Sequence, residues 1–258
     1  MDVARLQLLD GFALERAGVR LDVPAGIQHL VAFVALAGRP THRCLVAGTL
    51  WRDVPEAQAS ASLRTGIWRT NRMVPDLIRV DGDQLSLSTA LVVDSREQET
   101  FATRLLDRPS GDEPWIDEAV ETLWRGELLP GWYDDWVVFE RERLGQLRLH
   151  ALERLASLLT RRLELDTALR LALAAVRAEP LRETANAVLM SVYVAEGNVA
   201  DAVHQYDVFS DLQRRELGVE PSPSLAALLP MTLRRGRAGD ESSAITESWT
   251  MGRSRPPR

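Results

Sequence analysis

The chain has 258 residues, 45% of them hydrophobic, and a formal net charge of −6. This is enough apolar material to bury a sizeable core, and the length predicts two domains. No apolar run approaches the roughly 20 residues that span a bilayer, and the sequence opens on no signal peptide, so we predict a cytoplasmic protein without membrane association. The four histidines lack metal-ligand spacing, and Cys44 stands in an apolar run. We therefore expect no metal site, and a cysteine that packs as a small hydrophobe.

All 31 basic residues are arginine, and this excludes several classes of enzyme. Without lysine there is no Walker A nucleotide site, no Schiff base and no Ser-x-x-Lys acyl enzyme. The Gly-x-Ser-x-Gly and His-Glu-x-x-His motifs are missing as well. We predict that the chain is not an enzyme and uses no cofactor.

The N-terminal part begins with strand signals and continues with helix signals. Short apolar runs in residues 5–23, broken by Asp10-Gly11 and Ala17-Gly18, predict a small antiparallel sheet of about three strands. A strongly apolar helix is predicted over residues 26–37. A second, amphipathic helix is predicted over residues 42–51, with Thr41 as its N-cap.

A third helix, predicted over residues 58–73, carries arginines and no carboxylate on its outward face. At 100° per residue, Leu63 is the centre of a buried stripe that also contains Ala59, Ile67, Thr70 and Val74. The opposite side consists of Ala61, Thr65, Trp68, Arg69 and Arg72, with Arg64 and Asn71 on one flank. Guanidinium, hydroxyl and indole groups are typical of helices that read the DNA major groove. An ordinary solvated arginine face gives the same pattern.

A hairpin over residues 78–87, turning at Asp81-Gly82, follows this helix. A small sheet, three helices and a closing hairpin are the order of a winged helix-turn-helix, so the predicted fold class of this part is α+β. We place this domain at residues 1–94.

From Ser95 the pattern is helical to about Leu233 and repeats itself. An offset of 34 residues aligns Leu155 with Leu189 and Ala168 with Ala202, which is the period of tetratricopeptide helix pairs. We predict an all-α, tetratricopeptide-like domain over residues 95–233, with a plain helical bundle as the alternative. Residues 234–258 are rich in Gly, Ser, Arg and Pro and predict a disordered tail.

Charge is distributed unevenly over these parts. Residues 1–94 hold ten arginines and ten acids, whereas residues 95–230 hold 15 arginines and 24 acids. The acidic half suits protein partners rather than DNA.

Several stretches resemble one family, the Streptomyces antibiotic regulatory proteins, which join a winged helix of the OmpR type to a bacterial transcriptional activation domain. The most specific stretch is Glu216-Leu217-Gly218-Val219-Glu220-Pro221-Ser222-Pro223. The others are residues 45–51, residues 63–72, Leu123-Trp124-Arg125-Gly126, residues 140–155, Pro180-Leu181-Arg182-Glu183, and the series Leu189-Met190, Tyr193, Gly197, Ala202 and Tyr206. Together they cover roughly residues 3–233.

The resemblance implies a transcriptional activator that binds double-stranded DNA at promoter direct repeats and recruits RNA polymerase or its sigma factor. It also implies a homodimer, formed in solution or only on DNA, and control of secondary-metabolite genes. The groove contacts that it implies are Arg64, Thr65, Trp68, Arg69 and Arg72. Phosphate contacts are expected from Thr41, His42 and Arg43.

Two departures from the family pattern leave an alternative open. Thr70 and Asn71 stand where leucine and arginine are common, and the wing Asp81-Gly82-Asp83-Gln84 is acidic. Carboxylates in the wing are repelled by phosphates, by about 1 kcal/mol for each pair near 4 Å in water. The alternative is a protein–protein interaction module whose winged helix is a docking surface and whose DNA binding is weak or lost.

Overall fold

The structure, a computed structural model, describes residues 4–107 and 114–230. The chain divides into two units, Met1–Ala151 and Leu152–Arg258. Within the described ranges no helix is long and apolar enough to cross a membrane.

In its described residues the first unit contains two small sheets. One has the strand order β3-β2-β1-β7, in which β7 runs parallel to β1 and the other pairs are antiparallel. Its strands are β1 (Ala4–Gln7), β2 (Ala13–Arg16), β3 (Val19–Arg20) and β7 (Val92–Val93). The other sheet has the order β4-β6-β5 and consists of β4 (Thr41–His42), β5 (Ile78–Asp81) and β6 (Gln84–Leu87). The predicted sheet and hairpin are confirmed, and each gains one two-residue strand that the pattern did not reveal.

Six helices contribute to this unit within residues 4–107 and 114–151. They are α1 (Ala25–Leu36), α2 (Arg43–Leu50), α3 (Glu56–Met73), α4 (Asp94–Asp107), α5 (Ile116–Trp124) and the first part of α6 (Asp135–Arg161). The three predicted N-terminal helices are confirmed to within two residues at each end.

The core of the first unit extends beyond the winged helix. Leu30, Leu63 and Leu85 are fully buried in one cluster that also includes Val137 and Leu144 of α6. This cluster explains why the first compact unit continues to residue 151. The predicted domain limits, 1–94 and 95–233, were drawn from sequence motifs rather than from compact units, and they stay a prediction. The predicted tail, residues 234–258, lies outside the described residues.

Asp94, the first residue of α4, joins that helix to the end of β1. Its carboxylate is buried and accepts hydrogen bonds from the backbone N–H groups of Leu8 (2.8 Å), Leu9 (3.1 Å) and Ser95 (2.7 Å). Burial raises the pKa of the Asp94 carboxyl, and these bonds together with Arg125 partly offset the rise. Four donors on one carboxylate fix the start of α4 against the first sheet.

A second link runs from α6 to the segment before it. Arg141 donates hydrogen bonds to the carbonyls of Leu128 (2.8 Å) and Trp132 (2.8 Å) and pairs with Glu127 (2.8 Å). Gly126 donates its N–H to Asp10 (3.1 Å), and a Cβ there would meet the Asp10 carboxylate at 2.4 Å, so only glycine fits without a shift. Gly126 and Arg141 belong to two of the stretches that resemble the family, residues 123–126 and 140–155, and these contacts give both stretches a structural role.

The second unit, as far as it is described, consists of helices. The end of α6 is followed by α7 (Leu165–Ala178), α8 (Glu183–Glu196), α9 (Val199–Leu217) and the short α10 (Pro223–Ala226). A shift of 34 residues moves the first residue of α7, 165, onto the first residue of α9, 199. The aligned residues Ala168 and Ala202 are both fully buried. The tetratricopeptide-like assignment stays a prediction.

Side-chain hydrogen bonds connect α6, the start of α8 and the N-cap of α10. Arg182 donates to Glu153 at 2.6 Å, and Thr184 donates to the same carboxylate at 2.7 Å. Glu183 accepts from the Ser222 N–H at 3.0 Å and also from its hydroxyl. The residues on either side of the α7–α8 loop are thereby connected to α6 and to the cap of α10.

The stretch after α9 forms a turn closed by an ion pair. Gly218 has a φ of 69° and ends the helix, a conformation that glycine adopts without strain. Arg214 donates to both oxygens of Glu220, at 2.8 and 3.0 Å. The hydrogen bond from Arg214 holds the pKa of Glu220 below its ordinary value. The most specific family-like stretch is therefore a helix-ending structure.

Candidate nucleic-acid interface

Helix α2 forms the first half of the helix-turn-helix. Its buried residues are Val46 and Ala47, whereas Leu45 is 59% exposed. Cys44 is exposed as well, so the expectation of a packed thiol was wrong. The run containing it is apolar, but a helix of eight residues buries only one face.

The N-cap of α2 is His42, not Thr41 as predicted. His42 Nδ1 accepts from the Cys44 N–H at 3.3 Å, while Thr41 belongs to β4. Thr41 is only 7% exposed and donates its hydroxyl to the carbonyl of Arg39 at 3.0 Å. Of the three residues predicted to contact phosphate, His42 is exposed and Arg43 is half-buried, so these two are the better placed. All three contacts stay predictions.

Helix α3 begins after Pro55 and follows the predicted amphipathic pattern. Its buried residues are Ala59, Leu63, Ile67 and Thr70, and Val74 just beyond the helix is buried too. The predicted core stripe is confirmed. The Thr70 hydroxyl donates to the Gly66 carbonyl at 2.9 Å, so the buried polar group is satisfied within the helix.

Gly66 explains how α3 packs against α1. A Cβ at this position would lie 2.9 Å from the Leu30 side chain, which is fully buried. Glycine in a helix costs roughly 1 kcal/mol relative to alanine, so its use here reflects the close approach of Leu30.

The outward face of α3 is the candidate reading surface, which we call the α3 face. All five predicted base-contact residues are exposed on it: Arg64, Thr65, Trp68, Arg69 and Arg72. None of the three arginines forms a salt bridge with any residue in the described ranges. The Thr65 hydroxyl donates to the Ala61 carbonyl at 3.0 Å, so toward a ligand it offers its lone pairs and its methyl group.

Trp68 and Arg72 form a cation–π pair on the α3 face. The guanidinium carbon of Arg72 lies over the Trp68 ring, 5.4 Å from the ring centroid. This distance is typical of a cation–π interaction.

Asn71, predicted on the flank of the α3 face, turns out to hold the wing. Its amide donates to the Ile78 carbonyl at 2.8 Å and accepts from the Ile78 N–H at 2.9 Å. Both amide atoms are therefore engaged by the first residue of β5. Helical periodicity predicted only that Asn71 lies on the flank of the α3 face, because a bond between residues seven apart leaves no periodic signal.

The wing itself, the β5–β6 hairpin, has an exposed acidic tip as predicted. Gly82 at the turn has a φ of 56°, and Asp81 and Asp83 are exposed. Asp83 lies 3.9 Å from the Arg43 guanidinium, and its carbonyl accepts from the Arg43 N–H at 2.8 Å. One wing carboxylate is thus paired with a residue that was predicted to bind phosphate.

Arg79 is a cationic residue of the wing that was not among the predicted DNA contacts. It lies on β5 opposite Ser86, is exposed, and makes no salt bridge within the described part of the chain. The signal was available, since Arg79 is the one basic residue of the predicted hairpin. No cluster of His, Cys, Asp and Glu in residues 4–107 and 114–230 is suited to hold a metal ion.

Comparison with known proteins identifies a family to which most of the helical half is similar. The bacterial transcriptional activator domain family matches residues 97–230. Regulatory protein AfsR of Streptomyces coelicolor is 29% identical over 242 residues, which are 88% of this chain and 24% of AfsR. Regulatory protein AfsR of Streptomyces griseus is 29% identical over 228 residues, 80% of this chain and 22% of that protein. The chain spans about a quarter of the length of these relatives.

The fold is similar to that of a solved structure, Mycobacterium tuberculosis EmbR in complex with a low affinity phosphopeptide. The TM-score is 0.68 at 17% identity, over 95% of this chain and 71% of that chain. At this identity the likeness concerns the fold alone. It agrees with a winged helix joined to a helical region.

Proposed function

The chain belongs to the bacterial transcriptional activator domain family, within the Streptomyces antibiotic regulatory proteins, and from that premise we propose that it is a sequence-specific DNA-binding regulator of transcription. The observation that carries the proposal is the α3 face, with three exposed arginines that have no carboxylate partner in the described residues. A cation left unpaired on a helix-turn-helix is available to phosphates and bases.

In this proposal α3 lies in the major groove. Arg64, Arg69 and Arg72 take guanine O6 and N7 or phosphate oxygens, because a guanidinium fork matches both. Thr65 and Trp68 contribute apolar and hydroxyl contacts. His42 and Arg43 bind phosphate at the start of α2, where the helix dipole favours an anion.

The helical half is proposed to serve protein partners. We assign residues 1–94 to DNA binding and residues 95–233 to activation through RNA polymerase or its sigma factor, with two copies side by side on direct repeats. The 34-residue offset between α7 and α9 supports a tetratricopeptide-like arrangement, which binds partners rather than catalysing a reaction. Control of secondary-metabolite genes rests on the family alone.

One observation favours a second candidate, a protein interaction module with weak DNA binding. The wing tip exposes Asp81 and Asp83, and Arg43 is already paired with Asp83. A pull-down with the full chain separates the two candidates. Recovery of RNA polymerase subunits only in the presence of promoter DNA supports the regulator, and equal recovery without DNA supports the module.

The test of DNA binding is a fluorescence anisotropy titration at low salt on the promoter next to the chain's own gene. Wild type is compared with Arg69→Ala and with Arg154→Ala, an exposed arginine of the second unit. We expect Arg69→Ala to weaken binding by about 1 to 3 kcal/mol and Arg154→Ala to leave it unchanged. Absence of binding by the wild-type chain would end the proposal.

A further inference from the structure

Trp68 is an exposed aromatic side chain on the α3 face. It is 60% exposed at the middle of the α3 face, between Arg64 and Arg72 in the same row of the helix. An indole on the surface of a helix keeps much apolar area in water. On a face that otherwise carries arginines, this apolar area is available to a base or to the methyl group of thymine.

The contact with Arg72 fixes how the two groups are presented. The guanidinium lies over the ring at 5.4 Å from its centroid, and no carboxylate among the described residues competes for it. The attraction between the cation and the ring restricts the rotation of both side chains. Trp68 and Arg72 are therefore oriented together before any ligand arrives.

The spacing of this pair can be compared with that of DNA. Residues four apart on a helix are separated by about 6 Å along its axis. Base pairs are separated by about 3.4 Å, so the two groups address positions no more than about two base pairs apart. A guanidinium fork selects guanine, whereas an apolar surface selects the methyl group of thymine.

We infer that Trp68 and Arg72 act as one reading unit, which selects a thymine within about two base pairs of the guanine held by Arg72. The inference rests on the proposed DNA binding and makes it more specific, because it names one element of the operator. Arg69 lies on the same face, and the described residues show no cation–π contact between its guanidinium and the indole. Arg69 therefore provides a matched control.

The experiment begins with duplexes selected from a random library by the full chain. In one selected duplex, each guanine is replaced in turn by 7-deazaguanine, which lacks the N7 acceptor. The guanine of interest is the one whose replacement weakens wild type but not Arg72→Ala. Every thymine within two base pairs of it is then replaced by deoxyuridine, which removes only the methyl group, and dissociation constants are measured by anisotropy.

For wild type we expect one deoxyuridine replacement to weaken binding about fourfold, the value of one buried methyl group. The same replacement should have no effect on Trp68→Ala and should keep its effect in Trp68→Phe and Arg69→Ala. Trp68 is exposed, so these variants should retain the fold, and circular dichroism verifies this.

The outcomes separate the inference from the proposed function. Selection of duplexes without a thymine near that guanine, or an equal deoxyuridine effect in wild type and Trp68→Ala, overturns the reading unit and leaves DNA binding intact. Failure to select any duplex, with no binding at low salt, overturns the proposed function and the inference with it.

Discussion

Arginine has opposite surroundings in two regions of the molecule. On the α3 face, Arg64, Arg69 and Arg72 are exposed, and none has a carboxylate partner in the described residues. On α6 and before α8, Arg141 and Arg182 are mostly buried and hold carbonyls or carboxylates at 2.6 to 2.8 Å. Exposed ion pairs stabilise proteins little, so leaving the first group unpaired costs little stability. One residue type thus supplies structure in one place and available charge in another.

The largest expected effect is on DNA binding by the α3 face. Replacing Arg64, Arg69 and Arg72 together by alanine should remove detectable specific binding, because three contacts of about 1 to 3 kcal/mol each are lost. The free energy of unfolding should change little, as is usual for exposed positions. Anisotropy and urea titrations measure the two quantities.

The matched control removes the same charge elsewhere. It replaces three exposed arginines of the second unit, Arg154, Arg161 and Arg170, by alanine. An equal loss of affinity in this control would show that net charge matters and the α3 face does not.

The next largest effect is a loss of stability when a mostly buried, paired arginine is replaced. Arg141→Ala should lower the free energy of unfolding of the first unit by about 2 to 4 kcal/mol, since the carbonyls of Leu128, Leu129 and Trp132 and the carboxylate of Glu127 lose their donor. Six of the seven tryptophans lie in residues 1–151, so tryptophan fluorescence during urea denaturation reports on this unit. A change as small as that of Arg154→Ala would contradict the structural role.

A smaller effect is expected at the wing. Asp83→Asn removes a carboxylate and releases Arg43, so affinity for DNA should increase by about 1 kcal/mol or less. The gain should shrink as salt is added, because exposed charges are screened. Asp201→Asn, on an exposed residue of α9, is the control. Weaker binding by Asp83→Asn would indicate that the hairpin tip contributes through its fold.

The smallest effect is a pH dependence at the turn after α9. The folded pKa of Glu220 lies below its ordinary value of 4.5 because of the Arg214 hydrogen bond. The pair therefore contributes stability above about pH 4.5 and loses it as the pH falls through the lowered pKa. Nuclear magnetic resonance titration of the Glu220 carboxyl should show the pKa moving up in Arg214→Ala. An unchanged value would mean that the ion pair does not persist in solution.

Periodicity predicted much of the first unit. The stripe around Leu63 and the exposure of Trp68, Arg69 and Arg72 follow from 3.6 residues per turn, and the structure confirms them. The hairpin at residues 78–87 followed from its strand and turn residues. Which of these side chains contact DNA stays a prediction.

What sequence could not reveal are bonds between distant residues. The carboxylate of Asp94 accepts from backbone N–H groups 85 and 86 residues away. Asn71 binds Ile78, seven residues further along the chain. The strand β4 has only two residues, too few for an alternating pattern, and so Thr41 was taken for a cap. Such contacts depend on the packed fold rather than on local spacing.

The pair of hydrogen bonds between Asn71 and Ile78 affects which DNA sites this chain can accept. The Asn71 amide engages both the N–H and the carbonyl of Ile78, so the base of the hairpin is held to the end of α3. If the chain binds DNA as proposed, a duplex must accommodate helix and hairpin in one step. A site with the right bases but the wrong groove width would then be rejected.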